Sequence, residues 1–323
     1  MSPSEISQTD TRAHPPFMRH AIALSLTEIA LGSIVHAFKI PFGGHALSLN
    51  EIAILTWSMR TAIQEPSLLE GRSFRRAAIH ATSSVANAAA MLKSFSPAGS
   101  RLAPMLAISL QGLLYSLGVA ALGANAVGAA LGASLASLWG FAQPILITGV
   151  LYGKPFFEGL LKTWNEIARF FGLSSELILP ILIGVVLAKV CLALGVALGV
   201  WFSNPESEAA YLNRLEQLAE RAKTQSPKKA DPLAPPLSPF RGALHDLLHW
   251  PFLLGAAISL GFFAGSGTQG APEIVFYALR IFSIGLLLFW GLRAFPARWS
   301  HYFRQRFPNV SDWITETQRK LGR

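Results

Sequence analysis

The stretch LAPMLAISLQGLLYSLGVAALGANAVGAALGASLASLWGFAQPILITGVLYG, residues 102–153, contains no Asp, Glu, Lys or Arg. A membrane-spanning helix needs about 20 predominantly apolar residues. This stretch is therefore too long for one crossing and suited to two. We expect the break near 123–125, which predicts two membrane helices, over 102–122 and 127–149.

Composition indicates that the rest of the chain belongs to the same class. The protein has 323 residues, of which 51% are hydrophobic and 14% charged, and its mean hydropathy is +0.40. A soluble domain carries about 25% charged residues. These values exclude a disordered chain, a coiled coil and an ordinary cytosolic enzyme. The single cysteine, Cys191, excludes a disulfide framework within one chain and a cysteine-based metal site.

Six further stretches are candidate membrane helices. They cover residues 21–38, 49–64, 77–94, 177–202, 247–266 and 274–293. The stretch 77–94 is rich in Ala, Ser, Thr and Asn and needs shielding by neighbouring helices. The sequence thus predicts an all-α polytopic membrane protein, with a six-helix transmembrane bundle in 1–202. A cytoplasmic helix and a proline-rich linker are predicted in 203–245. A transmembrane two-helix hairpin with a basic amphipathic tail is predicted in 246–323.

Basic residues set the expected orientation. The net charge is +9, and the Lys and Arg residues collect between the apolar stretches, which indicates membrane orientation rather than nucleic-acid binding. The basic segment at 72–76, the charged segment at 206–231 and the basic C-terminal tail fall on one side if every span in 1–202 is real. We therefore expect both termini in the cytoplasm and an integral protein of a bacterial inner membrane. No cleavage signature follows the first apolar stretch, so it is expected to be a retained span.

Glu28, Lys189 and Arg280 are the ionisable residues expected to lie deep within the predicted spans. Such groups are costly at membrane depth and need a partner or a cavity. Glu28 and Lys189 lie on the predicted first and sixth helices and could pair. Three interpretations stay open: a buried pair that fixes helix register, a contact to a substrate or ion, or a misplaced span whose charge reaches the interface.

The segment KIPFGGHALSLNE, residues 39–51, is the most unusual connection in the chain. Gly43 and Gly44 permit backbone conformations that other residues avoid. The polar side chains that follow are His45, Ser48, Asn50 and Glu51. A glycine hinge with clustered polar groups at the outer end of a bundle suits a lid over a binding pocket. A plain interhelical turn is the alternative.

Small residues four apart recur in the predicted spans, as in Gly128 with Gly132 and Gly195 with Gly199. Such pairs allow helix backbones to approach closely. They indicate either packing within the bundle or a surface on which another membrane subunit docks.

The segment HDLLH, residues 245–249, places two histidines four apart on a presumed helix, a spacing that can hold a metal. Asp stands where zinc proteases have Glu, and no third ligand is evident. The sequence also contains no P-loop and no G-x-S-x-G motif. We therefore expect no metal site, no cofactor and no enzymatic activity.

Residues 1–202 resemble the substrate-capturing S components of energy-coupling factor (ECF) transporters. The resemblance consists of the predicted topology, the lid-like IPFGGHALSLNE and the small-residue helix faces. The extension from residue 203 onward is not part of the family pattern. The resemblance implies uptake of a small polar, vitamin-like solute from outside. It also implies two kinds of partner, a transmembrane coupling subunit and ATPases.

The resemblance further implies a set of solute-binding residues. These are His45, Asn50 and Glu51 on the lid, with Asn87 and Gln143 facing the pocket. A non-catalytic membrane scaffold or assembly factor is the alternative function, in which the polar groups only fix packing. A membrane enzyme acting on a lipid is a third hypothesis. A cavity lined by the predicted residues would favour uptake, and a sealed bundle would favour the scaffold.

Overall fold

The computed structural model describes residues 17–37, 43–65, 73–93, 102–172, 174–225, 238–265 and 270–306. Within these ranges the regular structure is helical throughout, so the predicted all-α class is confirmed for them. The helices are α1 (Met18–Ala37), α2 (Gly43–Gln64), α3 (Phe74–Lys93), α4 (Leu102–Leu122), α5 (Ala126–Tyr152), α6 (Lys154–Phe170), α7 (Ile178–Trp201), α8 (Pro205–Gln225), α9 (Pro239–Leu247), α10 (Trp250–Gly265) and α11 (Ala271–Arg306).

The long apolar stretch forms α4 and α5, as predicted. The chain turns between them at Gly123, whose φ of 94° lies in the left-handed region that glycine adopts at little cost. Asn125 then caps α5, because its side-chain oxygen accepts a hydrogen bond from the backbone N–H of Gly128 at 2.9 Å. α5 runs on to Tyr152, beyond the predicted end at 149.

Glycines bring the backbones of α4 and α5 together. Gly118 and Gly132 face each other, and a Cβ on Gly132 would lie 2.6 Å from the carbonyl oxygen of Tyr115. At Gly195 and Gly199 of α7, by contrast, an added Cβ meets nothing within 4 Å. One of the two predicted small-residue pairs therefore packs inside the bundle, and the other faces open space.

The most apolar helices lie on the outside of the bundle. Only 17% of the apolar window of α7 is buried, and 22% of that of α5. The central helix is the less apolar α2, in which every residue from Glu51 to Met59 is buried. A soluble protein has the opposite arrangement, with apolar groups inside. Apolar helices around a more polar centre are what a lipid environment requires.

Among the described residues, four helices are long and apolar enough to cross a membrane: α4, α5, α7 and the first part of α11. α9 and α10, bent by 52°, would make a fifth if they form one span. These candidate spans are of the kind that an integral membrane protein contains. The exact count of six plus two is not confirmed, since α1 to α3 fall outside this group.

A helix that the sequence prediction missed, α6, lies between α5 and α7. Its charged residues, such as Lys154 and Glu158, recur along one face, so it contains no long apolar run. The other face is apolar, and Gly159 lies directly against the ring of Phe262 on α10. The described part of 1–202 thus contains seven α-helices rather than six.

The helices after residue 238 pack around a second apolar core. This core contains Tyr152 at the end of α5, Phe252 on α10 and Tyr277 on α11. Arg293 of α11 donates two hydrogen bonds of 2.8 Å to the carboxylate of Asp246 on α9. α11 continues to Arg306, so the predicted hairpin helix is longer than its expected end at 293.

The HDLLH segment does not lie on one helix. α9 ends at Leu247, and the chain turns before α10 begins at Trp250. The rings of His245 and His249 therefore lie on either side of a turn, with centroids 6.3 Å apart. The expected helical pair of histidines is wrong in its geometry. Among the described residues, no group of three metal-binding side chains occurs.

The predicted cytoplasmic helix forms as α8 and packs on α1. Leu212 and Leu215 are buried in the first core, whereas Leu218 is 43% exposed. His20 of α1 and Glu208 of α8 also form a 2.8 Å contact. α8 therefore packs with the helices of 1–202. Residues 226–237, which hold most of the predicted linker, lie outside the described ranges.

Candidate functional site

The polar residues of the predicted lid lie on a helix. α2 begins at Gly43, so the prediction of a loop is wrong for residues 43–51, and residues 38–42 lie outside the described ranges. Successive helical residues are rotated by about 100°. His45, Asn50 and Glu51 therefore point in three directions and meet three different sets of neighbours.

Glu51 belongs to a charged cluster at the centre of the bundle. The Nζ atom of Lys93 on α3 lies 3.7 Å from Oε2 of Glu28 on α1, and it also donates a hydrogen bond to the Glu28 carbonyl oxygen. Glu51 lies near enough for its carboxylate and that of Glu28 to repel each other. It is 1% exposed, and among the described residues its Oε1 atom has no hydrogen-bond partner. We call Glu28, Glu51 and Lys93 the carboxylate cluster.

The predicted pair of Glu28 with Lys189 is wrong. α1 packs against α2, α3 and α8, so the lysine that reaches Glu28 is Lys93 at the end of α3. Lys93 lay within the predicted span 77–94, and a basic residue inside a predicted span is the signal that could have identified it. The structure buries it to 1% exposure.

Lys189 lies in a second polar cluster, between α2, α5 and α7. Its Nζ atom lies 4.9 Å from the centre of the Phe141 ring, a distance at which a cation is attracted to the ring. His45 also packs against this ring, with centroids 5.2 Å apart. Within the described chain, the buried Nζ atom donates a hydrogen bond to no acceptor. We call His45, Gly140, Phe141 and Lys189 the Lys189 cluster.

Asn50 faces a groove between α2, α7 and α8. The hydroxyl of Tyr211 donates a hydrogen bond to Oδ1 of Asn50, and the Tyr211 ring lies 4.8 Å from that of Trp57. Burial raises the pKa of the Tyr211 phenol, which keeps it a donor. The groove has a volume of about 410 Å³. Its lining is Ala46, Leu49, Asn50, Ala53, Trp57, Gly195, Val196, Gly199, Val200 and Tyr211.

The two remaining predicted residues are Asn87 and Gln143. Asn87 is exposed on α3, and its side chain donates to the carbonyl oxygen of Ser83 at 2.9 Å. Gln143 is half-buried on α5, one turn beyond Trp139. The five predicted residues therefore do not line a single pocket. The structure instead separates His45, Asn50 and Glu51 into three environments.

Polar groups on α2 and α4 link the central helices. The hydroxyls of Thr56 on α2 and Tyr115 on α4 lie 2.8 Å apart. Gln111 of α4 donates to Ser48 of α2 at 3.1 Å. Buried polar groups need such partners wherever water is excluded. These contacts hold α2 in one register against α4.

Two arginines lie at the carboxyl ends of helices. Arg60 donates to the backbone carbonyl oxygens of Val200 at 2.5 Å and Ser203 at 2.9 Å, where α7 ends. The guanidinium of Arg280 lies at Gly153, the residue that ends α5, 3.3 Å from where a Cβ would stand. A cation is favourable there because the helix dipole is negative at its carboxyl end. Arg280 is thus exposed beside a helix terminus and is not a buried site in the bundle.

Comparison with protein-family models, with curated proteins and with solved structures found no match to this chain. The class of the molecule therefore rests on its own features. It is an all-helical integral membrane protein whose apolar helices surround a centre that contains ionisable groups.

Proposed function

We propose that this chain is an integral membrane subunit for the uptake of a small polar solute. In this proposal it lies in a bacterial inner membrane with both termini in the cytoplasm. The solute enters among the helices that carry the Lys189 cluster and the carboxylate cluster.

The observation that carries the proposal is the presence of unpaired ionisable atoms inside the bundle. Nζ of Lys189 and Oε1 of Glu51 are buried without hydrogen-bond partners in the described residues. A charged side chain at the centre of a membrane helix costs about 2.5–3.5 kcal/mol on insertion scales. A helix bundle with only a structural role would be more stable with apolar residues at both positions. A polar solute that contacts these groups would offset their cost.

The sequence contains no P-loop. In this proposal the energy for uptake comes from partner proteins. The resemblance to ECF S components supplies the proposed ones, a transmembrane coupling subunit and ATPases. Such a subunit needs an exposed apolar face on which to pack. The glycines of α7 lie on a face of this kind, since an added Cβ at Gly184 or Gly195 meets nothing within 4 Å.

Affinity purification of the tagged full-length protein in mild detergent tests this proposal. Mass spectrometry of the eluate should find one stoichiometric small polar compound, or a membrane coupling subunit together with ATPases. The Lys189→Met variant is the matched control for compound binding. This variant should elute without the compound. An eluate that contains neither the compound nor such partners contradicts the proposal.

A membrane scaffold or assembly factor is the second candidate. The observation in its favour is that the predicted solute-binding residues do not converge on one cavity. The 410 Å³ groove is lined mainly by apolar and glycine residues, which suits helix packing better than polar-solute binding. Recovery of a stable membrane assembly with no bound small molecule would favour this function over uptake.

A further inference from the structure

The ammonium group of Lys189 has no counterion among the described residues. Glu28 forms its ion pair with Lys93, and Glu208 contacts His20. Lys189 is 6% exposed, and its contact with the described chain is the face of the Phe141 ring. A ring face attracts a cation but leaves its N–H donors without acceptors. A buried lysine in this state has the capacity to bind an anion.

Because Gly140 has no side chain, Nζ of Lys189 can lie directly against α5. A Cβ added to Gly140 would collide with Nζ of Lys189 and would lie 3.9 Å from Nδ1 of His45. The lysine and histidine nitrogens therefore approach the same point from two helices. Gly140, Phe141 and His45 are half-buried, so the cluster lies close to the surface of the bundle.

The start of α2 adds positive potential to the same place. His45 is the third residue of α2, after Gly43 and Gly44. The first N–H groups of a helix have no partners within it, and this end carries the positive pole of the helix dipole. Among the described residues, an added Cβ at Gly44 meets nothing within 4 Å. Anions bind such helix starts readily.

We propose that the Lys189 cluster binds an anionic oxygen group, a carboxylate or a phosphate, at the unpartnered Nζ atom of Lys189. Lys189 provides the charge, Phe141 forms the apolar wall, and His45 lies beside them. The inference rests on the proposed function and deepens it, because it assigns the solute to the anions. The same chemistry is present in an anionic lipid headgroup, so the test separates a free anion from a lipid.

The test measures thermal unfolding of the full-length protein in nanodiscs through its tryptophan fluorescence. In neutral phosphatidylcholine discs, sodium phosphate and sodium acetate are compared with sodium chloride at equal ionic strength. We expect phosphate or acetate to raise Tm by about 2–4 °C above chloride. The shift should disappear in Lys189→Met and in Gly140→Ala, whose new methyl group would displace Nζ of Lys189. Gly184→Ala, which adds the same methyl group in open space, should keep the shift.

The outcomes are distinct. A shift in the neutral discs that both site variants lose supports a site for a free anion. A shift only in phosphatidylglycerol discs, again lost in both variants, supports the site with a lipid headgroup as its occupant. Equal Tm values in all salts and lipids, or a shift that Gly140→Ala keeps, would overturn the inference. If a neutral compound is then recovered with the purified protein, the uptake function stands and only the anion site fails.

Discussion

At the scale of single residues, Lys93 determines how the acidic groups of the bundle are held. It contacts both the carboxylate and the carbonyl oxygen of Glu28. Buried ion pairs contribute little net stability, but removing one partner leaves a buried charge without compensation. The carboxylate cluster also contains Glu51, so the loss of Lys93 would leave two neighbouring acids with no base.

Replacing Lys93 by Met should therefore destabilise the protein by about 3–5 kcal/mol. The measurement is the free energy of unfolding from SDS titration in mixed micelles. The double variant with Glu28→Gln should recover a large part of this loss, because the stranded acid is then neutral. Lys154→Met is the control, since the Lys154 side chain is 85% exposed. A Lys93→Met variant as stable as Lys154→Met would show that the ion pair is not formed.

Gly132 tests the close packing of α4 on α5. Gly132→Ala would place a methyl group 2.6 Å from the Tyr115 carbonyl oxygen, and overpacking of this kind costs about 1–3 kcal/mol. Gly184→Ala is the matched control in open space and should stay within about 0.5 kcal/mol of wild type. The same SDS titration compares them. Equal stability of the two variants would contradict the packing described for α4 and α5.

Residue partners were harder to predict from the sequence than residue types. Glu28 and Lys189 were identified as buried ionisable groups, and both are buried. Their pairing was not predictable, because it depends on which helices are neighbours in space. Lys93 was missed since it stood at the end of a weak apolar stretch. His45 and Glu51 were singled out as polar, yet the helical start of α2 sends them to different clusters.

At the scale of helices, α8 is attached to the bundle by two buried leucines. Leu212 and Leu215 pack into the first core, and Leu218, one turn further on, is 43% exposed. Leu212→Ala should cost about 2–5 kcal/mol if this burial is real. Leu218→Ala should cost less than about 0.5 kcal/mol.

Proteolysis and unfolding measurements on both leucine variants separate the possibilities. With Leu212→Ala, α8 should be cut at lower protease concentration than in wild type, because its apolar contact with α1 is weakened. With Leu218→Ala, cleavage should be unchanged. Identical cleavage of the two variants would place α8 off the bundle.

Apolar helices were predictable to within a few residues, and the amphipathic one was not. The predicted 102–122 coincides with α4, and 177–202 nearly coincides with α7. A long run without charges identifies a helix of this kind directly. α6 has charged residues throughout, so only its helical periodicity could have indicated it. The lid-like segment was misassigned because its two glycines suggested a loop, whereas the residues after them continue α2.

At the scale of the whole molecule, the distribution of apolar surface fits a membrane. α5, α7 and α11 expose leucine, isoleucine and valine side chains, while threonine, serine and ionisable groups lie inside. Composition predicted this class correctly. Composition did not predict the number of spans, because α1 to α3 are stabilised by neighbouring helices and not by their own hydropathy. Which side of the membrane each end occupies stays a prediction from the distribution of Lys and Arg.

Fusion reporters test that orientation. A green fluorescent protein fused after Arg323 should be fluorescent in bacterial cells, and alkaline phosphatase at the same position should be inactive, because the C-terminus is expected in the cytoplasm. Reporters after Gly172 should give the opposite result, since α5 and α7 cross on either side of α6. An active phosphatase after Arg323 would contradict the proposed topology.

The most direct test of the account is solute uptake by cells of the source organism. A deletion strain is complemented with wild type, with Lys189→Met or with Leu218→Ala, and small molecules inside and outside the cells are followed by mass spectrometry. Uptake of one small polar solute should be lost on deletion and restored by wild type and Leu218→Ala. Lys189→Met, present in the membrane at the same level, should not restore it. Solute pools that are the same in all four strains would contradict the uptake function.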